Sequence, residues 1–339
     1  MRNLSMDALC EKIGNAVSKQ AISKYEKGES LPGSQILILL SQALDVKPDY
    51  FFRESQFAIS NIEFRKKAKM GVKEVEAIKE EIRDIIERYL EIEDVWGCVP
   101  SFANPVKEML VASEDDVYEV VKKLKEAWNI GEDGILSVTD LLESKNIKVV
   151  EIKADSSFDG LSGYVNNDEN MPFVVVNKSF DVERLRFTGL HELGHLVMNL
   201  PEEMEKKDKE RLCNLFASEM LISRDIFVDV LGERRSDISL QELKVLQAVY
   251  GISVDALMFK AKTVGVISES KHTSFCIRKN KSLAFKDAVE RSSYRGVEES
   301  SRFDRLVYRA LASDMISCSK AAVLLNEPME EVKNKLELV

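Results

Sequence analysis

The chain has 339 residues, and because a domain typically has about 150, its length predicts two or three domains. Its hydrophobic fraction of 45% provides for a sizeable core. The sequence shows neither an apolar run of about 18 residues nor a signal segment, so we expect a cytoplasmic protein without a membrane span. Five scattered cysteines without a CxxC pair argue against a disulfide framework and a zinc ribbon. The net charge of −10 means that any nucleic-acid contact must come from a local patch.

The first fifty residues predict a helix-turn-helix. Residues 5–13 and 18–26 read as short helices, separated by Gly14 and Asn15, which typically end a helix. Ser18 is a suitable N-cap for the second helix. A third helix is predicted over residues 34–44, and Pro48 opens a last short one. In such a unit the second helix enters a major groove of DNA.

The segment GNAVSKQAISKYEKGESLP resembles the core of the lambda-repressor-like, Xre-type DNA-binding domain. That resemblance implies that the residues facing bases lie at the start of the second helix, with Gln20 suited to adenine. Carried over to this chain, they are Ser18, Lys19, Gln20 and Lys24. The family usually has a complete helix before this segment, whereas only residues 1–4 precede it here. We therefore expect either a truncated first helix or translation that begins upstream. The alternative is a module used for protein interaction or dimerisation without DNA.

The middle of the chain changes from helical to strand periodicity. Helices are predicted over residues 64–94, 115–128 and 138–144, and strands over residues 147–152, 161–166 and 172–177. The predicted fold class is therefore mainly α with a small β-sheet (α+β). Residues 173–176 are the candidate for an edge strand that holds an extended peptide, with an ordinary core strand as the alternative.

The segment RFTGLHELGHLVMN, residues 186–199, carries the H-E-x-x-H pattern of a zinc hydrolase. On a helix, His191 and His195 lie one turn apart on one face, where both imidazoles can reach one metal ion. Glu192 lies beside that face and can accept a proton from water without being a ligand. The chain has only three histidines, and two of them stand here.

A catalytic zinc site needs a third protein ligand, and two glutamates of the following predicted helix compete for that role. Glu210 and Glu219 are nine positions apart, about 180° around a helix, so one metal cannot bind both. Periodicity alone does not choose between them.

RFTGLHELGH followed by ERLCNLFASEMLI resembles the ImmA/IrrE family of zinc metallopeptidases. The resemblance implies that Glu210 is the third ligand, that Asn214 lies outside the ligands and supports them, and that Cys213 replaces the usual alanine. It also implies that Arg184 and Arg186 belong to an R-x-R-F-T signature that braces the helix. Tyr250 is a candidate donor to the oxyanion of the transition state, with a packed core tyrosine as the alternative.

The C-terminal third is predicted to be helical, with two helices within residues 239–267 and two or three within residues 303–338. Residues 271–295 form a basic segment, which is interpreted either as a contact for nucleic acid or an acidic partner or as a solvated loop. The predicted domains are residues 1–53 (helix-turn-helix), 54–97 (helical connector), 98–230 (peptidase core), 231–270 (a helical pair completing it) and 271–339 (basic segment and C-terminal helices).

Together these features predict a zinc-dependent endopeptidase. The resemblance to the ImmA/IrrE family implies that it cleaves a repressor-type DNA-binding protein and so relieves transcriptional repression. Two histidines and a carboxylate also suit Mn²⁺ or Fe²⁺. DNA binding is expected through the N-terminal module, and the oligomeric state stays open. The alternative is a non-catalytic helix-turn-helix regulator that uses the metal domain as a sensor or an interaction scaffold.

Overall fold

The computed structural model describes residues 4–44, 46, 48–52, 59–60, 71–97, 101–165 and 170–336. The chain divides into two compact units. The first comprises Met1–Ala58, Lys69–Val99 and Phe303–Val339, and the second comprises Ile59–Ala68 and Pro100–Arg302. The segment predicted as residues 271–339 is thus shared between the units, and the predicted domain boundaries stay predictions. Both units are mainly helical, and the second contains a small β-sheet, so the predicted fold class is confirmed.

The first unit begins with the predicted helix-turn-helix. Its elements are α1 (Met6–Lys12), α2 (Lys19–Glu26), α3 (Ser34–Leu44) and a 3-10 helix (Pro48–Phe52). The side chains of Ser5 and Ser18 cap α1 and α2 by accepting hydrogen bonds from backbone N–H groups. Gly14 and Asn15 take the left-handed conformation that turns the chain between the two helices. Buried apolar residues join the three helices: Leu9, Cys10, Ile13, Ile22, Leu40 and Ala43.

The long connector helix α4 (Val72–Val95) belongs to the same unit. It was predicted to start near residue 64, but residues 61–70 lie outside the described part of the chain. Its apolar stripe is buried, with Ile82 and Ile86 fully covered. The stripe of isoleucines every three to four residues therefore marks the packed face of this helix.

The sheet of the second unit has four strands in the order β1-β3-β4-β2. They are β1 (Ile59–Ser60), β2 (Lys148–Ile152), β3 (Gly160–Val165) and β4 (Pro172–Asn177). β4 pairs in parallel with β2 and antiparallel with β3, and β1 pairs antiparallel with β3. Every residue of β4 is buried. The prediction that residues 173–176 form an edge strand is therefore wrong, because both backbone edges of β4 are used by its neighbours.

The described part of the second unit also contains nine helices. They are α5 (Glu114–Trp128), α6 (Val138–Ser144), α7 (Val182–Val197), α8 (Lys206–Leu221), α9 (Arg224–Leu231), α10 (Leu240–Tyr250), α11 (Val254–Thr263), α12 (Glu269–Lys281) and α13 (Leu283–Glu290). Helix α7 packs against β3 and β4 on one side and against α8 on the other. The H-E-x-x-H helix is consequently held between the sheet and the helix that carries both candidate glutamates.

Three C-terminal helices complete the first unit: α14 (Arg302–Ala312), α15 (Cys318–Leu324) and α16 (Met329–Lys335). Their apolar faces form a core with Ile92 of α4, and Val307, Ala310 and Leu324 are fully buried there. In the described residues, no helix is both long enough and apolar enough to cross a membrane.

Candidate metal centre

The two histidines of α7 face each other at their Nε2 atoms. The helix starts at a cap formed by Asp181 and runs unbroken through the H-E-x-x-H segment. His191 Nε2 lies 3.1 Å from His195 Nε2. His191 is fully buried, whereas the side chain of His195 keeps 23% of its surface exposed. The pair therefore presents two nitrogen donors to one point that solvent can reach from the His195 side.

Glu210 of the neighbouring helix α8 faces the same point. One carboxylate oxygen lies 3.7 Å from His191 Nε2, and the other lies 3.7 Å from His195 Nε2. The close approach of the helices depends on Gly194, since a Cβ at this position would come within 3.1 Å of the Phe216 ring. The glycine of the HELGH segment thus allows α8 to pack close enough for Glu210 to face both imidazoles.

Glu219, the competing glutamate, lies elsewhere. Its carboxylate forms a salt bridge with Lys260 of α11, and both side chains are almost completely buried. The backbone N–H of Arg224 donates a hydrogen bond to the same carboxylate at 2.8 Å. Burial lowers the pKa of Lys260, and the neighbouring Glu219 opposes that effect. Glu219 is thus engaged in a buried ion pair, away from the two histidines.

The outer nitrogens of the two histidines also have partners on α8. Asn214 Oδ1 accepts a hydrogen bond from His191 Nδ1 at 2.8 Å. Because an amide oxygen only accepts, the proton sits on Nδ1 and the lone pair of Nε2 stays available. Cys213 Sγ lies 3.5 Å from His195 Nδ1.

Cys213 also lies close to the two histidines and, like Glu210, carries an atom that can bind a metal. Donor atoms of His191, His195 and Cys213 all lie within 4.8 Å of one another. The cysteine sulfur, however, approaches Nδ1 of His195, while the two Nε2 atoms converge on Glu210. A metal ion at the Nε2 atoms therefore favours Glu210 and leaves Cys213 behind the ring of His195.

Glu192 points from α7 toward strand β3. The hydroxyl of Ser162 donates a hydrogen bond of 2.9 Å to its carboxylate, which is buried. β3 runs close to the helix here, since a Cβ on Gly160 would lie 2.6 Å from Thr188 Cγ2 and 3.6 Å from Glu192 Cγ. Ser162 was not among the predicted site residues, because no local pattern in a strand reveals which residue meets a helix distant in sequence.

Arg186 lies fully buried at the start of the same helix. It forms a salt bridge of 2.5 Å with Glu298, and its guanidinium donates to the carbonyl groups of Ile135 and Gly251. Glu298 in turn accepts from the first backbone N–H groups of α6. Arg184 instead pairs with Asp159 near the surface. Arg186 thus ties α7 to three other segments, a geometry suited to the bracing that the sequence predicted.

Tyr250 ends helix α10, and its backbone carbonyl accepts a hydrogen bond from Arg186. Burial raises the pKa of its hydroxyl, and the carboxylates of Asp133 and Glu132 add to that effect. The charges that affect this hydroxyl thus come from the segment before α6. Its predicted role as an oxyanion donor stays a prediction.

The predicted DNA-contacting residues are exposed on the first unit. Ser18 caps α2, and Gln20 and Lys24 lie one turn apart on it. Lys19 forms an exposed ion pair of 2.6 Å with Asp7 of α1. Three of the four residues are thus on the helix that a groove would receive, and Ser18 supports its start.

A cavity of about 490 Å³ opens beside His195 in the second unit. His195 and Tyr164 line it together with Phe102 and Asn104. The Tyr164 hydroxyl donates to the carbonyl oxygen of Leu196, directly after His195. The exposed side of the histidine pair therefore faces a space large enough for a side chain of a bound peptide.

Comparison with known families agrees with this geometry. Residues 142–262 match the Peptidase M78 model, described as the IrrE N-terminal-like domain, and residues 1–51 match a helix-turn-helix model. The chain joins a helix-turn-helix domain to an IrrE N-terminal-like domain. The IrrE N-terminal-like match contains both histidines, both glutamates of α8 and Tyr250. The predicted pairing of these two domains is confirmed.

A curated relative matches a short stretch of the chain. The chain is 45% identical over 53 residues to the uncharacterized HTH-type transcriptional regulator y4aM of Sinorhizobium fredii (strain NBRC 101917 / NGR234). The match covers 16% of this chain and 36% of that relative. The similarity therefore concerns a small part of this chain and about a third of that relative.

Proposed function

We propose that the chain is a metal-dependent endopeptidase that cleaves a repressor-type DNA-binding protein and so relieves repression. The observation that carries the proposal is the convergence of His191 Nε2, His195 Nε2 and the Glu210 carboxylate, with Glu192 buried beside them. The match to the Peptidase M78 model supports it.

The donor set fits a divalent cation. Two imidazoles and one carboxylate are the protein ligands of many catalytic zinc sites, with one position left for water or substrate. The hydrogen bond from His191 Nδ1 to Asn214 keeps the inner nitrogen free to coordinate. If these residues held Zn²⁺, the ion would supply Lewis-acid chemistry toward a peptide carbonyl and water. Mn²⁺ and Fe²⁺ suit the same donors.

Glu192 is the proposed general base. It takes a proton from the attacking water and returns it to the leaving amine. The Ser162 hydroxyl donates to one of its oxygens and so fixes the orientation of the carboxylate. Arg186 acts through position alone, because its ion pair with Glu298 braces the start of the helix that carries the site.

The proposed peptide-binding edge is that of β3, which replaces the earlier candidate β4. β3 is the strand that carries Ser162, and Ser162 contacts Glu192. In the described residues, β1 pairs with β3 only at Tyr164 and Val165. An extended peptide can add to this edge by main-chain hydrogen bonds and lie beside the catalytic carboxylate.

The helix-turn-helix domain supports a substrate or target connected with transcription. In this proposal Gln20 and Lys24 of α2 contact DNA and bring the peptidase to the operator where its substrate is bound. Retardation of duplex DNA by the full chain, weakening as salt concentration rises, supports this part of the proposal. No retardation at low salt contradicts it.

The test of the activity is Glu192→Gln. This substitution keeps the three proposed ligands and removes the base, so the variant is expected to bind zinc as the native chain does and to lose cleavage. New protein N-termini are compared by mass spectrometry in cells that produce either form. A DNA-binding protein is expected to be cut only with the native chain.

The same experiment separates the proposal from a non-catalytic regulator. If Glu192→Gln relieves repression as well as the native chain does and no new N-terminus distinguishes the two, the peptidase proposal is wrong. Zinc content, measured on both purified proteins, shows that the variant differs only in the base.

A further inference from the structure

The outer edge of β3 is partly occupied by a segment of the chain itself. β1 consists of Ile59 and Ser60, which pair antiparallel with Val165 and Tyr164. These two residues follow the helix-turn-helix domain in the sequence and belong to the second unit. The pairing is that of a short strand added to a sheet edge, as when a peptide binds.

The hydrogen-bond pattern shows which residues of β3 face β1. The N–H of Val165 donates to the carbonyl oxygen of Met171, on the side of β4. Because backbone groups of successive strand residues point to opposite edges, the N–H and C=O groups of Tyr164 and Ser162 point to the outer edge. Ser60, directly opposite Tyr164, is therefore the residue of β1 that exchanges backbone hydrogen bonds with it.

This edge adjoins the candidate metal centre. The side chain of Ser162 contacts Glu192, and Tyr164, two residues further, lines the cavity that His195 also lines. A strand paired at Tyr164 thus ends beside the position that a peptide must occupy to reach Glu192. The antiparallel direction of β1 is also one that a bound peptide can adopt.

We propose that Ile59–Ser60, a strand of the same chain, competes with substrate for the β3 edge. The segment that contains these two residues thereby restrains the chain's own peptidase. The competition rests on the proposed function, but the pairing of β1 with β3 and its displacement by another strand do not. A tethered segment acts at a high effective concentration, while a pairing of two residues stays weak enough for a longer peptide to displace it.

Hydrogen exchange of the full chain tests whether β1 protects the edge. Ser60→Pro removes the N–H that faces Tyr164, whereas Ser60→Ala keeps the backbone and serves as the matched control. The amide of Tyr164 is expected to exchange several-fold faster in Ser60→Pro than in Ser60→Ala, while that of Val165 stays protected by Met171. Equal exchange of Tyr164 in the two variants would overturn the proposal.

Binding of a peptide in trans tests the competition. The probe is a fluorescent synthetic peptide with the sequence of residues 55–64, SQFAISNIEF, added to full chains that also carry Glu192→Gln to prevent hydrolysis. We expect its affinity for the Ser60→Pro chain to be about fivefold or more higher than for the Ser60→Ala chain, because the tethered competitor is weakened. Equal affinities would contradict competition.

These readouts are independent of catalysis. If the native chain with zinc cleaves no protein, the proposed function fails, yet the exchange and binding differences still establish the pairing of β1 with β3 and its displacement. If cleavage is found without those differences, the peptidase stands and Ile59–Ser60 has no such role.

Discussion

The two ends of α8 carry the same residue type in opposite environments. Near its start, Glu210 keeps 27% of its side chain exposed and faces two imidazoles. Near its end, Glu219 is buried against Lys260. In a buried ion pair the two charges compensate each other, whereas a partly exposed carboxylate beside two nitrogen donors leaves room for a cation. The comparison separates a residue that holds the fold together from one that is suited to bind a metal.

The largest expected effect is on the free energy of unfolding and concerns Glu219. Glu219→Ala leaves the ammonium of Lys260 buried without its partner, and we expect the free energy of unfolding to fall by about 3–5 kcal/mol. The measurement is urea denaturation of the purified chain. The folded variant should still bind zinc with the native stoichiometry, because Glu219 does not face the histidines.

A double variant supplies the control for this prediction. Replacing both Glu219 and Lys260 by methionine removes both charges and fills the space, so most of the lost stability should return. If the free energy of unfolding of Glu219→Ala falls by less than about 1 kcal/mol, the size expected for an exposed pair, the proposed difference between the two ends of α8 is wrong.

The second prediction concerns Glu210→Ala. Removing a residue that hydrogen-bonds a ligand lowers metal affinity by about 10–100-fold. Here a ligand itself is lost, so the affinity for zinc is expected to fall by at least that factor. The free energy of unfolding of the metal-free chain should change by less than about 1 kcal/mol. Competition with a chromogenic chelator measures the affinity.

Glu205→Ala is the matched control for Glu210→Ala. Glu205 precedes the same helix, is exposed, and makes no side-chain capping bond. It should therefore leave both zinc affinity and stability as they are. Equal zinc affinity of the Glu210 and Glu205 variants would remove Glu210 from the site.

Local patterns predicted most of the fold. The helix-turn-helix followed from the Ser18 cap and the Gly14–Asn15 turn, and the H-E-x-x-H helix from the spacing of its histidines. The error on β4 had a visible signal: its apolar residues do not alternate with polar ones, which is typical of a central strand covered on both faces. β1 had no such signal, since two residues carry no periodicity.

The contacts around the site were less predictable, because they join residues distant in sequence. Arg186 was expected to brace the helix, but its partner Glu298 is 112 positions away. The separation of nine residues between Glu210 and Glu219 showed that only one could serve the site. Lys260, which engages Glu219, shows which of the two does not.

The most direct test of the central claim is X-ray absorption spectroscopy at the zinc edge of the full chain loaded with one equivalent of Zn²⁺. Coordination through His191, His195 and Glu210 predicts nitrogen and oxygen scatterers at about 2.0–2.2 Å, including the outer-shell signature of two imidazoles. A sulfur scatterer at about 2.3 Å would contradict the account, because it would place Cys213 among the ligands.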